Sequence, residues 1–149
     1  MTGKRPEISD DVEKILKLAR VARFATVDAQ GRPHIVPVCY AYVGKAFYTA
    51  VDRKPKRVSP ERLARVQNIR AESHVALLID EYDEDWTKLW YVLIRGKAEL
   101  VPESADRERA MAIRELRDKY PQYFGGMLAD DAPIIRITLE RITSWGKIS

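Results

Sequence analysis

The chain has 149 residues, of which 46% are hydrophobic and 32% are charged, and its formal net charge is +4 at pH 7. This length suits one domain with a real core, and no stretch approaches the ~20 apolar residues that a membrane-spanning helix needs. We therefore expect a single domain over residues 1–149 that does not act at a membrane. The N-terminal segment has no apolar region behind its charges, so it does not resemble a secretory signal and we expect a cytoplasmic protein.

The first third of the chain predicts a helix followed by a meander of strands. Residues 10–20 place apolar side chains at the spacing of an amphipathic helix. Residues 23–28 and 33–43 then predict two strands around a tight, glycine-containing turn, and residues 45–51 predict a third strand. Pro37 interrupts the hydrogen-bond ladder of the second strand, which favours an edge or a bulge where a ligand can reach unpaired backbone groups.

The rest of the chain mixes helices with strands. We predict a helix over 59–72, strands over 73–82 and 88–101, a helix over 105–120 and a last strand over 133–146. Gly96 interrupts the longest of these strands. The total is six strands and three helices, and hairpin-type links between most strands favour an antiparallel barrel with helices at its periphery.

Both faces of the predicted second strand are apolar. Ile35 and Val43 fall on one face, while Val36 and Tyr42 fall on the other, so the alternation leaves no wet side. We expect both faces to be covered. In a domain of this size, one face can fill a barrel interior while the other meets a partner subunit or a flat ligand.

A run of four cations, Arg53, Lys54, Lys56 and Arg57, lies between the third predicted strand and the start of the next helix. Free N–H groups and the dipole at a helix N-terminus add to such cations, and the combination suits a phosphate or a carboxylate. A solvated basic loop is an equal alternative. Nucleic acid is the weaker reading, because residues 53–70 carry no aromatic side chains and no nucleic-acid-binding motif is present, so we expect no such partner.

The sequence offers no side-chain constellation for catalysis. Its two histidines, His34 and His74, are too few for a histidine-rich metal site, and we expect each at the surface near a strand end. No nucleophile, nucleotide or metal motif is present. We therefore predict no metal and no catalytic side chain. If the protein is an enzyme, a cofactor must supply the reactivity.

Three segments in order carry a resemblance to a known family: ATVDAQGRPH at 25–34, NIRAESHVALLID at 68–80 and WYVLIRGKAELV at 90–101. The chain resembles the flavin and deazaflavin oxidoreductases with the split β-barrel of pyridoxamine-5′-phosphate oxidase, and is most similar to their F420-dependent subgroup. The resemblance implies a mainly β fold with peripheral helices, a six-stranded antiparallel split β-barrel. It also implies a homodimer with two cofactor sites at the subunit interface.

The same resemblance implies where coenzyme F420 binds. The ring would lie against the backbone of the second and third strands, the cations after the third strand would hold the phosphate, and one helix and the long strand would contribute further contacts. The residues implied are Val36, Pro37, Val38, Thr49, Ala50, Lys54, Lys56, Arg57, Asn68, Trp90 and Tyr91. Arg53, Arg62 and Arg65 exceed what one phosphate needs, which favours F420, with its phospholactate and oligoglutamate, over FMN.

The implied function is an F420-dependent oxidoreductase. It would transfer a hydride from C5 of the reduced deazaflavin to a small electron-poor organic acceptor, and the protein would supply positioning and a drier environment. Two alternatives stay open: an FMN-dependent oxidase or reductase of the same fold, and a module that binds a flavin or haem without turnover.

Overall fold

The structure, a computed structural model, describes residues 7–51 and 63–148. The helices of this part are α1 (Asp10–Leu18), α2 (Ala64–Ala71) and α3 (Asp106–Lys119), and its strands are β1 (Ala22–Val27), β2 (Pro33–Val38), β3 (Ala41–Val43), β4 (Ala46–Ala50), β5 (His74–Glu81), β6 (Trp90–Leu100) and β7 (Ile134–Gly146). None of the helices described is long and apolar enough to cross a membrane.

The seven strands form one antiparallel sheet in the order β2-β1-β5-β6-β7-β4-β3, which curls into a half-barrel. β6 and β7 pair along most of their length and shift register between Arg95 and Gly96. A Cβ at Gly96 would lie 2.2 Å from the carbonyl oxygen of Thr138, so the backbones approach there more closely than any side chain allows. The predicted interruption at Gly96 is thus a β-bulge, where a long pair of strands can bend.

The prediction of six strands was wrong, because the second predicted strand is two strands, β2 and β3. The chain leaves the ladder at Cys39 and Tyr40, where side chains replace strand partners. The carbonyl of Cys39 accepts a hydrogen bond from the Thr49 hydroxyl at 2.7 Å, and the Tyr40 N–H donates to the Tyr120 hydroxyl oxygen at 3.1 Å. With these backbone groups satisfied, the strand turns without leaving a buried polar group unpaired.

Apolar residues pack in two clusters on the two sides of the sheet. Inside the half-barrel, Leu16 of α1 packs with Phe24, Phe47 and other fully buried side chains. The second cluster lies under α3, where Leu116 and its neighbours pack against β3, β4 and the start of β7. The helices therefore lie at the periphery of the sheet, as predicted.

The face of β1, β2, β5, β6 and β7 that points away from the half-barrel interior is called the outer face below. Successive side chains along a strand point to opposite faces of the sheet. In β5, Leu77 and Ile79 are therefore buried inside, while Leu78 is half-buried on the outer face. Cross-strand pairing aligns Leu78 with Arg23 of β1 and Leu93 of β6 in one row on that face.

Candidate functional site

β2 forms one edge of the sheet, as Pro37 predicted. It pairs with β1 from Ala22↔Val38 to Val27↔Pro33, and no strand of the described residues lies on its other side. Among the described residues, the backbone of β2 makes no hydrogen bond beyond that ladder. Because alternate backbone groups of an edge strand point away from its neighbour, β2 offers donors and acceptors to a ligand along this edge.

The outer face next to this edge carries exposed apolar side chains. Ile35 is 62% exposed and Trp145 is 53% exposed, and the Tyr91 ring stacks on Trp145 with centroids 5.9 Å apart. Leu78 and Leu93 lie half-buried between them. Exposed charged residues of the same strands share this face: Arg23, Asp80, Arg95 and Arg141. Apolar side chains surrounded by charged ones in this way are typical of interfaces or of ligand sites. The sequence signal for apolar side chains on this face was the run VALLI in β5. Its residues are apolar at successive positions, so both faces of the strand carry apolar side chains.

Thr49 and Ala50 are buried in β4, and the Thr49 hydroxyl is engaged in a hydrogen bond within the chain. It donates to the carbonyl of Cys39, so it links β4 to the chain that follows β2. Thr49 pairs with Ile135, which pairs in turn with Leu100 at the far end of β6. The structure therefore brings Thr49 next to the end of β2.

Asn68 is buried on α2 and contacts β1. Its amide Nδ2 donates to the Thr26 hydroxyl at 2.9 Å, and Thr26 lies opposite His34 of β2. The Nδ1 atom of His34 is buried and has no hydrogen-bond partner among the described residues. Asn68 thus reaches the strand beside the predicted ring site, and His34, which the sequence placed at the surface, joins this polar cluster.

Trp90 and Tyr91 lie on opposite faces of β6, because successive residues of a strand alternate. Tyr91 faces Trp145 on the outer face. The indole Nε1 of Trp90 donates to Glu81 Oε2 at 3.3 Å, and Trp90 lines a groove beside α1. Thr49 and Leu100 both pair with Ile135, and Leu100 lies ten positions along β6 from Trp90. Thr49 and Trp90 are therefore far apart within one chain.

The three predicted phosphate ligands, Lys54, Lys56 and Arg57, lie outside the described residues, as do Arg53 and Arg62. The neighbouring elements are described: β4 ends at Ala50 and α2 begins at Ala64. Arg65, the remaining cation of the predicted cluster, is half-buried on α2.

An antiparallel half-barrel with an open strand edge and helices at its periphery is the architecture of a split β-barrel, and the family match agrees. The chain belongs to the pyridoxamine 5′-phosphate oxidase family, whose model matches residues 8–146. No curated protein sequence matches this chain.

Solved structures share the fold at low sequence identity. HutZ, the haem storage protein of Vibrio cholerae, matches with a TM-score of 0.71 at 13% identity over 95% of each chain. An FAD-binding protein of Mesorhizobium loti matches with a TM-score of 0.68 at 24% identity over 92% of this chain and 94% of its own. A haem-binding protein of Mycobacterium smegmatis reaches a TM-score of 0.73 at 20% identity, over 97% of this chain and 56% of its own.

Proposed function

We propose that this protein is an F420-dependent oxidoreductase that transfers a hydride from the reduced deazaflavin to a small electron-poor organic acceptor. The observation that carries the proposal is the unpaired edge of β2 beside exposed apolar side chains of the outer face, in a chain of the pyridoxamine 5′-phosphate oxidase family. A tricyclic ring with one polar edge needs backbone hydrogen bonds along that edge and apolar contact on its face. The FAD-binding relative supports a cofactor with such a ring.

The residues present fit this cofactor. The backbone of Val36, Pro37 and Val38 would hold the polar edge of the ring, and Lys54, Lys56 and Arg57 would hold the phosphate. When bound, the deazaflavin supplies the hydride. The chain's own contribution is to orient the acceptor and to exclude water, since the outer-face side chains carry no group that reacts.

The choice of F420 over FMN rests on charge. FMN carries one phosphate, whereas F420 adds a carboxylate-rich tail, and the cations of the 53–65 segment outnumber the ligands of a single phosphate. An FMN-dependent oxidoreductase of the same fold would differ from this proposal in its cofactor. Measuring the affinity of the protein for each cofactor therefore decides between the two functions.

A homodimer completes the proposal. The outer face would be covered by a second copy of the chain, and cofactor contacts would then come from two subunits. This arrangement accounts for the distribution of the predicted residues within one chain. Trp90 lies at the start of β6, whereas Thr49 of β4 lies near the end of β6. Residues that cannot meet within a chain can meet across a two-fold axis.

A binding titration tests the cofactor assignment. Purified protein is titrated with F420, FMN and FAD, with ligand fluorescence as the readout, and F420 is expected to bind tightest. Lys56→Ala and Arg57→Ala should each weaken binding by about tenfold to a hundredfold, because each removes a charge-assisted contact. Lys17→Ala, an exposed lysine on α1, is the matched control and should leave the affinity unchanged.

Two results would contradict this proposal. If FMN binds more tightly than F420, the FMN-dependent alternative replaces it. If both variants keep the wild-type affinity for F420, the phosphate lies elsewhere.

Turnover separates an enzyme from a binding module. Protein loaded with reduced F420 should reduce members of a panel of quinones and enones, measured as the return of the absorbance of oxidised F420. Binding without turnover of any acceptor would favour the non-catalytic reading.

Haem binding is the second candidate function, and His34 is the observation that favours it. Its Nδ1 is buried without a partner among the described residues, and two structural relatives are haem proteins. Histidine is a common axial ligand of haem iron. A Soret titration with haemin tests this reading: a saturable band that His34→Ala abolishes and His74→Ala retains would support it, and the absence of such a band would exclude it.

A further inference from the structure

A groove of about 400 Å³ lies between α1 and the start of β6, away from the edge of β2. One wall is the α1 surface formed by Ile15, Leu18 and Ala19, and Trp90 lines the groove from the sheet. Its volume suits a ligand of one or two fused rings.

The apolar wall of the groove is not fully used by the fold. Leu18 is 63% exposed, whereas Leu16 on the opposite side of the same helix is completely buried in the core. The Trp90 indole is half-buried, and Glu81 fixes its edge through the 3.3 Å hydrogen bond from Nε1. A flat apolar ligand placed between Leu18 and Trp90 would remove both surfaces from water, which is the largest available gain here.

The rim of the groove carries two lysines, Lys14 and Lys147. Neither forms an ion pair within the described part of the chain, whereas Lys17 one turn along α1 pairs with Glu13. The backbone fixes Lys147 by its N–H, which donates to Leu89 at 2.9 Å, immediately after the left-handed turn at Gly146. Neither lysine is therefore held in an ion pair by a described side chain.

Two carboxylates also line the groove, and each has a local role. Glu81 accepts the hydrogen bond from the Trp90 indole. Asp11 lies in the first turn of α1, where the free N–H groups and the helix dipole stabilise a negative charge. The lysines are thus the rim charges left to meet a ligand.

We propose that this groove binds an aromatic carboxylate, with its ring between Leu18 and Trp90 and its carboxylate at Lys14 and Lys147. The site shares Trp90 with the predicted cofactor contacts, but it goes beyond the proposed redox function because its charged rim uses none of the predicted phosphate ligands and it needs no cofactor. An apolar wall facing an indole matches the ring, and the two lysines match the single negative charge.

The test uses three probes of one shape: 2-naphthoate, the neutral 2-naphthamide and the cationic 2-naphthylmethylamine. The chain has three tryptophans, Trp86, Trp90 and Trp145, so a ¹H–¹⁵N spectrum gives three indole signals that Trp86→Phe and Trp145→Phe assign. At millimolar concentration, 2-naphthoate should shift the Trp90 signal in a saturable way and leave the other two in place. The naphthamide should bind at least about fivefold more weakly, and the amine more weakly still.

Variants of the rim locate the charge. Lys14→Met and Lys147→Met should each weaken 2-naphthoate by about threefold to fivefold and leave the naphthamide unchanged, because exposed ion pairs contribute modestly. Lys17→Met is the matched control on the same helix and should change neither. Leu18→Ala should weaken all three probes, since it shortens the apolar wall.

Three outcomes overturn the proposal: no shift of the Trp90 signal, equal shifts of all three indoles, or binding of the amine or the amide as tight as that of the acid. F420 titration of the same variants separates the two proposals. The rim variants should bind F420 like the wild type, so a failed groove leaves the cofactor assignment standing, and the reverse also holds.

Discussion

Lys119 illustrates how a single charged residue can be held in an apolar setting. Its ammonium lies 3.9 Å from the centroid of the Tyr40 ring and has no hydrogen-bond partner among the described residues. Burial, together with the positive charge of Arg20, lowers the pKa of Lys119 to about 8. The attraction of the Tyr40 and Tyr120 rings for the cation offsets part of that cost.

The lowered pKa of Lys119 makes a prediction about stability against pH. Above a pKa of about 8 the folded chain loses this proton while the unfolded chain keeps it up to its ordinary pKa of 10.5, so the unfolded state binds more protons. The free energy of unfolding should therefore rise between pH 8 and about pH 10. Lys119→Met keeps the packing and removes the titration, so its urea-unfolding curves should lack that rise.

The control for this measurement is Lys17→Met, on the exposed side of α1, which should keep the wild-type slope. The window closes near pH 10 because burial raises the pKa of Tyr40 and of Tyr120. Above that pH the unfolded tyrosines ionise first, and stability falls again. An identical slope in wild type and Lys119→Met would show that Lys119 titrates normally in the folded chain.

Residues of the predicted site also show what a single side chain can and cannot reveal. Asn68 was predicted through family resemblance, and the structure places it against Thr26, next to β2. His34 was expected at the surface, yet its Nδ1 is buried. The burial of Nδ1 depends on tertiary contacts, because α2 packs against β1 beside His34 through Asn68 and Thr26. A local sequence pattern does not predict such a contact.

Among the elements, the pair β6 and β7 determines the shape of the sheet. β5 pairs with β6 as far as Lys97, and β4 pairs with β7 as far as Thr138, which is the partner of Lys97. The bulge at Gly96 therefore lies next to the point where one pairing region gives way to the other. Since the Gly96 position leaves no room for a Cβ, this bend depends on glycine.

Gly96→Ala should therefore destabilise the fold strongly. Its Cβ would meet the backbone carbonyl of Thr138, which cannot move without breaking the β6–β7 ladder. We expect a loss of at least ~3 kcal/mol in the free energy of unfolding, measured by urea denaturation, or an insoluble chain.

Gly125→Ala is the matched control, because a Cβ there has no atom within 4 Å and the residue does not have a positive φ. It should change stability by less than ~0.5 kcal/mol. A Gly96→Ala protein as stable as this control would mean that β7 can move away at the bulge.

For the whole molecule, the outer face links the fold to the proposed function. The same surface that would meet a second copy lies beside the edge of β2, so dimerisation and cofactor binding should depend on each other. The row of Arg23, Leu78 and Leu93 crosses its centre, and Arg23 is paired with Asp80 at 3.4 Å. A charge introduced at Leu78 or Leu93 should therefore disrupt a dimer formed through this face.

Leu93→Glu should convert a dimer to a monomer, because it buries an unpaired carboxylate in the interface. Light scattering after size exclusion measures the mass, and F420 affinity should fall in parallel. Gln122→Glu adds the same charge at an exposed position after α3 and should leave both quantities unchanged. A wild-type protein that is monomeric at every concentration would contradict the homodimer and the shared site.

The sequence by itself determined most of the elements. Alternation, helical spacing and punctuation by proline and glycine are local, so Pro37 predicted an edge or a bulge in the second strand and Gly96 the interruption in β6. The structure makes the first of these an edge. These features follow from short-range sterics and from the match between period and burial.

Tertiary structure decided what depends on contacts far apart in the chain. The break between β2 and β3 is stabilised by Thr49 and by Tyr120, which is 80 residues away from Tyr40. The groove in which Trp90 lies and the stacking of Tyr91 on Trp145 follow from where α1 and β7 pack. Such contacts arise from the order of strands in the sheet, which no local period specifies, because pairing partners are selected by the folded whole.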